Sequence, residues 1–176
     1  MSGTTPGVGG AGNTHSSRTG FYELNKMKEI ARSRLPNNTW LQGRLTANMN
    51  INNSCNAFWN GSTINFYRSG GGCGNTGENA AIFDHEWGHG MDANDVNGGI
   101  ASPSGEGIAD LYSALRLGDS CIGRGFFSDG TVCTNGGTCT ECTGVRDIDY
   151  AKKTKNKPFT HTESNNICGG GVSHLV

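Results

Sequence analysis

Long apolar runs are missing from this chain of 176 residues. Nothing approaches the ~18 consecutive apolar residues that a membrane-spanning helix requires, so no membrane partner is expected. An excess of one charge is missing too: 14 Lys plus Arg stand against 15 Asp plus Glu, a formal net charge of -1. That balance makes no electrostatic case for nucleic acid or for an anionic lipid surface. Charged residues of either sign make up only 16%, which excludes the highly charged composition of most disordered chains. Apolar residues are only 34%, so the polarity comes from 29 Gly and from Asn, Ser and Thr, the residues of turns and solvated loops. The composition describes a loop-rich globular protein, one domain long or two small lobes around a cleft.

A secretory signal is also lacking, because Met1-Ser2-Gly3-Thr4 has neither a basic start nor an apolar stretch behind it. Seven cysteines nevertheless point to an oxidising compartment and to disulfides that supplement a small core. The chain is therefore expected to be a processed or recloned piece of a longer, secreted precursor. The odd cysteine count leaves one thiol without a partner. Asn37, Asn52 and Asn60 open Asn-x-Ser/Thr acceptors that would matter in a glycosylating host.

Along the chain, residues 1–15 read as a flexible lead-in of Gly, Thr and Ser. Phe21, Leu24, Met27, Ala31 and Leu35 recur every three or four residues, which predicts a helix over 16–35 ended by Pro36-Asn37-Asn38. Leu41, Leu45, Ala47, Met49 and Ile51 occupy odd positions between polar even ones, the period of a strand. Asn60-Gly61 between Phe58-Trp59 and Thr63–Tyr67 signals a hairpin. A helix is expected from about Thr76–Glu78 to Met91, then a loop over Asp92–Gly99. Ser102-Pro103 is the expected start of a further helix that closes at Gly118. Beyond Ser120 the chain is rich in Cys and Gly, with a weak regular signal over Val145–Lys153. The fold class is α+β, divided into the lead-in, an N-terminal lobe over 16–100 and the beginning of a second lobe over 101–176.

The chemistry concentrates in His85-Glu86-Trp87-Gly88-His89. Two histidines four apart on a helix share a face, so both imidazoles can meet one metal ion, with Glu86 on the flank. Catalytic zinc takes three protein ligands and keeps a fourth position for water. Glu106, at the start of the next helix, is the candidate third ligand, and Asp110 one turn on can hold a ligand histidine by its other ring nitrogen. Ordinary helix N-terminal acids would account for the same two carboxylates.

This arrangement, His85-Glu-x-x-His89 followed by Glu106-x-x-x-Asp110, resembles the gluzincin metallopeptidases, in particular their thermolysin-like and fungalysin-like branches. The resemblance implies a zincin-like α+β fold: an N-terminal helix, a small sheet with a substrate edge strand, the metal-binding helix, and the start of a helical lobe. Asn56-Ala57-Phe58-Trp59 is similar to that family's edge-strand motif, which implies substrate contacts at Asn56, Ala57, Phe58 and Trp59 by strand addition. Those residues would also serve as an aromatic core turn. Val145-Arg146-Asp147 is similar to the segment that sets an Arg against a substrate carbonyl, and Gly170-Gly171-Val172-Ser173-His174 is similar to the stretch carrying a transition-state histidine. Arg146 and His174 are thus catalytic candidates by resemblance. The family's tyrosine between the second histidine and the third ligand has no counterpart, and its C-terminal lobe continues well beyond Val176, which implies an incomplete catalytic unit.

The reaction expected is zinc-dependent hydrolysis of a peptide or protein, with Glu86 as general base. Asp92, Asn94, Asp95 and Asn97 offer an oxygen-rich loop to calcium, although turn chemistry accounts for them as well. Cys133, Cys139 and Cys142, with Cys121 or Cys168, have the spacing of a structural zinc site, but disulfides are the expectation for such a loop. Bridging Cys55 and Cys73, which bracket the hairpin, would close a loop worth about 3 kcal/mol. Two other functions stay open: a non-catalytic, disulfide-stapled adhesion or binding module derived from a peptidase, and a zinc amidase acting on a non-protein substrate. Nothing in the sequence addresses oligomeric state.

Overall fold

A computed structural model of the chain describes residues 14–95, 104–134, 138–149 and 152. The lead-in up to residue 13, the end of the Asp92–Gly99 loop, the Ser102-Pro103 cap, Cys168 and His174 lie outside the described residues.

The first helix, α1, runs His15–Arg34 and opens where the Thr14 side chain accepts the Ser17 N–H. Its buried residues are Ser16, Gly20, Glu23 and Met27, so of the predicted apolar stripe Met27 is buried whereas Phe21 and Leu35 are exposed. The alternating run that follows does not begin as a strand. Asn38 accepts the Leu41 N–H and starts a one-turn helix, α2 (Thr39–Gln42), which plugs Leu41 completely into the core. The local cap and the burial of Leu41 override the period-two pattern there, and strand β1 starts only at Thr46 and ends at Ile51.

Strands β2 (Ala57–Trp59) and β3 (Thr63–Tyr67) form the antiparallel hairpin, with Ala57 opposite Phe66 and Trp59 opposite Ile64. The Asn60 side chain shapes its turn by accepting the N–H groups of Ser62 and Thr63. β1 lies parallel to the far side of β3, giving the order β1-β3-β2 and leaving β2 at an edge. A 3₁₀ turn at Thr76–Glu78 then leads to Asn79, whose side chain caps helix α3 (Ala80–Ala93). Helix α4 spans Ser104–Leu117 and closes at Gly118, where φ is +65°. Short strands β4 (Cys121–Ile122) and β5 (Arg146–Asp147) pair antiparallel.

Three buried clusters hold these pieces. Ile64 and Phe66 pack on Ile82, Phe83 and Phe126, joining sheet, α3 and the loop after β4. Met27 and Leu41 pack on Trp87 and Met91, joining α1, α2 and α3. Trp40 meets both Trp59 (6.1 Å, edge-on) and Trp87 (5.7 Å). The third cluster is sulfur: Cys121, Cys133, Cys139 and Cys142. Disulfides join Cys55–Cys73, Cys121–Cys142 and Cys133–Cys139. Among the described residues no helix is long and apolar enough to cross a membrane.

Candidate metal centre

Helical spacing stacks His85 and His89 one turn apart on α3, and their Nε2 atoms come within 3.1 Å. The first turn of α4 brings Glu106 to the same point, Oε2 3.2 Å from His85 Nε2 and Oε1 3.3 Å from His89 Nε2. The two helices get this close because Gly88 faces Ala109: a Cβ there would sit only 2.8 Å from Ala109 Cα. A tetrahedral ion with bonds of 2.0–2.1 Å sets its ligands about 3.3 Å apart. The two imidazole nitrogens and the Glu106 carboxylate, which meets each ring with a different oxygen, therefore stand at separations close to those edges, and the N,N,O donor set suits a borderline divalent cation.

Asp110 lies completely buried one turn after Glu106, its Oδ1 2.8 Å from His85 Nδ1. Burial raises the Asp110 pKa, but His85 and Arg146 outweigh it and hold the carboxyl below its ordinary range. An ionised carboxylate only accepts, so the His85 Nδ1–H donates to it and Nε2 is left for the metal. Arg146 on β5 closes the back of the site: Nε donates to Asp110 Oδ2 at 2.7 Å, and Nη2 reaches Asp110 Oδ1 at 3.1 Å and Glu106 Oε2 at 3.2 Å. Without a metal, burial pulls the His85 pKa down, yet its hydrogen bonds to Asp110 and Glu106 prevail and raise it to about 9. For Glu106, burial is likewise overcome by the two imidazoles, and the carboxyl titrates far below its usual range.

Glu86, 5% exposed, has its pKa raised by burial, although both imidazoles and the Trp59 backbone N–H draw it down. His85, Glu86, His89, Glu106 and Arg146 line a cleft of about 600 Å³. Residues 56–59 form one wall, so Asn56, Ala57, Phe58 and Trp59 all reach the cleft, at the free edge of the sheet. Ile82, Ile122, Phe126, Phe127 and Val145 add an apolar surface, and the Cys55–Cys73 bridge borders it. The oxygen-rich loop is described only as far as Asp95; Asp92 and Asp95, after burial, contribute to raising the Tyr112 pKa.

Sequence reasoning missed a second ionic group on the opposite side of α3. Arg116 of α4 donates to Asp84 at 2.5 Å and to Glu23 of α1 at 2.5 Å, tying three helices together. Asp84 is completely buried and its pKa is raised to about 7, burial outweighing the Arg116 contact. A carboxylate inside the apolar middle of a helix was the available signal that a cation had to meet it.

No protein-family model matches the chain, and no curated protein matches it. Among solved structures, it is similar to the precursor of protealysin, a metalloproteinase from Serratia proteamaculans, with a TM-score of 0.64 at 17% identity. The superposition covers 97% of this chain and 59% of that one, so the chain spans well under two thirds of its neighbour's length. The likeness is one of fold: the chain shares the mixed α+β architecture of that neighbour.

Proposed function

We propose that the chain is the catalytic part of a secreted, zinc-dependent endopeptidase of the gluzincin type. The observation that carries this reading is the convergence of His85 Nε2, His89 Nε2 and the Glu106 carboxylate at mutual distances of 3.1–3.3 Å, on the floor of a cleft that also contains Glu86. Zinc bound there would polarise a carbonyl and lower the pKa of water.

The remaining work belongs to the chain's own side chains. Asp110 fixes the His85 tautomer, and Arg146 holds both carboxylates in place. Glu86 takes the proton from the attacking water and delivers it to the leaving amine; its raised pKa suits a group that must do both. The outer edge of β2, which pairs with no further strand among the described residues and turns its Trp59 N–H to Glu86, offers its other main-chain groups to an extended peptide, with Asn56 and Ala57 at the reacting end and Phe58 and Trp59 beyond. An oxyanion donor is assigned to Arg146 or His174. Three disulfides fit an extracellular workplace.

The test is a pair of variants assayed on casein. Glu86→Gln should keep one equivalent of zinc and lose 10²–10⁴-fold in activity, whereas Glu106→Ala should bind zinc poorly. Parent-rate cleavage by Glu86→Gln would sink the assignment of the base. A zinc-loaded parent chain without chelator-sensitive activity would instead favour a non-catalytic binding module.

A further inference from the structure

The four cysteines of the second lobe form a separate chemical unit. Cys121, Cys133, Cys139 and Cys142 are each at most 2% exposed, and none of them lines the cleft. Among the described residues they form one buried cluster, with Val132 packed partly buried against it.

The sulfurs are also close together across the two disulfides. One Sγ from each of Cys133, Cys139 and Cys142 lies within 4.8 Å of the others, and Cys121 Sγ is bonded to Cys142 Sγ. A closed tetrathiolate zinc site, with Zn–S bonds near 2.3 Å, sets its sulfurs about 3.8 Å apart. Once reduced, the two bonded pairs need only open from bonding distance toward that separation, while Cys133, Cys139 and Cys142 already share one neighbourhood and Cys121 is brought beside it by Cys142. The backbone prepares one ligand: Gly144 N–H points at Cys142 Sγ across 3.4 Å, the hydrogen bond that a metal-bound thiolate accepts. A side chain at position 144 would collide with the Ile122 carbonyl, so glycine is what lets this strap close. The Cys133 N–H to Cys142 carbonyl bond (2.9 Å) and the Cys139 N–H to Cys133 carbonyl bond (2.7 Å) bring the segments together independently of the sulfur bridges.

We infer that this cluster, when reduced, is a structural tetrathiolate site for one zinc ion, so that the lobe has two alternative staples. Reduction consumes two equivalents of a dithiol. Each gives two electrons and two protons to one disulfide, yielding two thiols, and closes to its own cyclic disulfide. Zinc then displaces the thiol protons into solvent. The inference does not depend on the peptidase reading.

Cobalt(II) titration of the full chain tests it, comparing oxidised protein with protein reduced by a dithiol and desalted without air. Donors such as His85, His89 and Glu106 give no sulfur-to-cobalt charge-transfer band, so the band reports the cysteines alone. The oxidised chain should show none. The reduced chain should show an intense band that saturates at one cobalt, falls by about one thiolate's share in four in Cys139→Ser, and persists in Cys55→Ser/Cys73→Ser. A reduced chain without the band overturns the inference, as does a band undiminished in Cys139→Ser. Native mass spectrometry of the unmodified chain decides the matter without a variant: reduced protein that holds no more zinc than oxidised protein refutes the site.

Discussion

Replacing Gly88 with Ala tests whether the α3–α4 approach sets the geometry of the metal centre. The added Cβ would lie 2.8 Å from Ala109 Cα, 3.1 Å from Tyr112 Cδ2 and 3.3 Å from Ala109 Cβ, where ordinary contact begins at 3.4 Å. The shortfall against Ala109 Cα is 3.4 − 2.8 = 0.6 Å, and the obstacle is backbone, so α4 itself must retreat. Glu106 stands three residues earlier on that helix and moves with it. Metal–ligand distances tolerate only about ±0.2 Å, so the third ligand is pulled out of register. The expected loss of zinc affinity is about 10–100-fold, similar to that for disturbed supporting contacts. Stability should change much less: alanine gains about 0.5–1 kcal/mol over glycine in a helix, while overpacking costs about 1–3 kcal/mol. Chelator competition on the metal-free variant, run beside thermal melts, separates the two effects. Parental zinc affinity in a folded Gly88→Ala chain would refute the coupling.

Metal-free protein should become less stable as the pH rises from 6.5 to 9. The His85 pKa is raised from 6.5 to about 9 on folding, so its contribution is complete below 6.5 and disappears through 9, a loss of about 3 kcal/mol. Asp84, raised to about 7, loses its part below that pH, so a melting temperature that does not change between pH 7 and 9 would contradict the His85 network. Zinc affinity should rise over the same interval, because the ion competes with that proton; calorimetry in buffers of different ionisation enthalpy counts the proton released. Arg146→Lys replaces a fork that grips Asp110 and Glu106 with a single ammonium, and should weaken zinc binding about 10-fold or more, read by the same competition assay. Arg116→Met strands the buried Asp84 and Glu23 and should cost about 3–5 kcal/mol in urea unfolding, with much of the loss recovered in Asp84→Asn/Arg116→Met.

Local signals were read most easily where one short segment determines its own conformation. The spacing from Phe21 to Ala31 marked α1, Asn60-Gly61 marked the hairpin, and the His85–His89 interval placed two imidazoles on one face. The same local reasoning misjudged Leu41, because a cap at Asn38 and a core cavity decide that residue's fate and neither shows in an alternating pattern. Relationships between distant segments were hidden for a related reason. The parallel pairing of β1 with β3 and the Cys121–Cys142 and Cys133–Cys139 connections depend on how the chain returns on itself. Arg146 was recognisable as a basic residue near the site only by resemblance; its grip on Asp110 and Glu106 follows from the pairing of β5 with β4. The Glu23–Arg116–Asp84 group joins residues 93 positions apart at its widest and had no spacing to betray it.

All three tryptophans of the chain stand in one file: Trp59 on the cleft wall, Trp40 behind it and Trp87 between the two histidines of α3. At centroid separations of 5.7–6.1 Å their excitations are shared, so emission excited selectively in tryptophan comes from this one neighbourhood. The molecule thus has a built-in optical gauge of its cleft. Occupancy by a ligand, or the loss of an ion, can be followed in the untagged protein by the intensity and wavelength of its tryptophan emission.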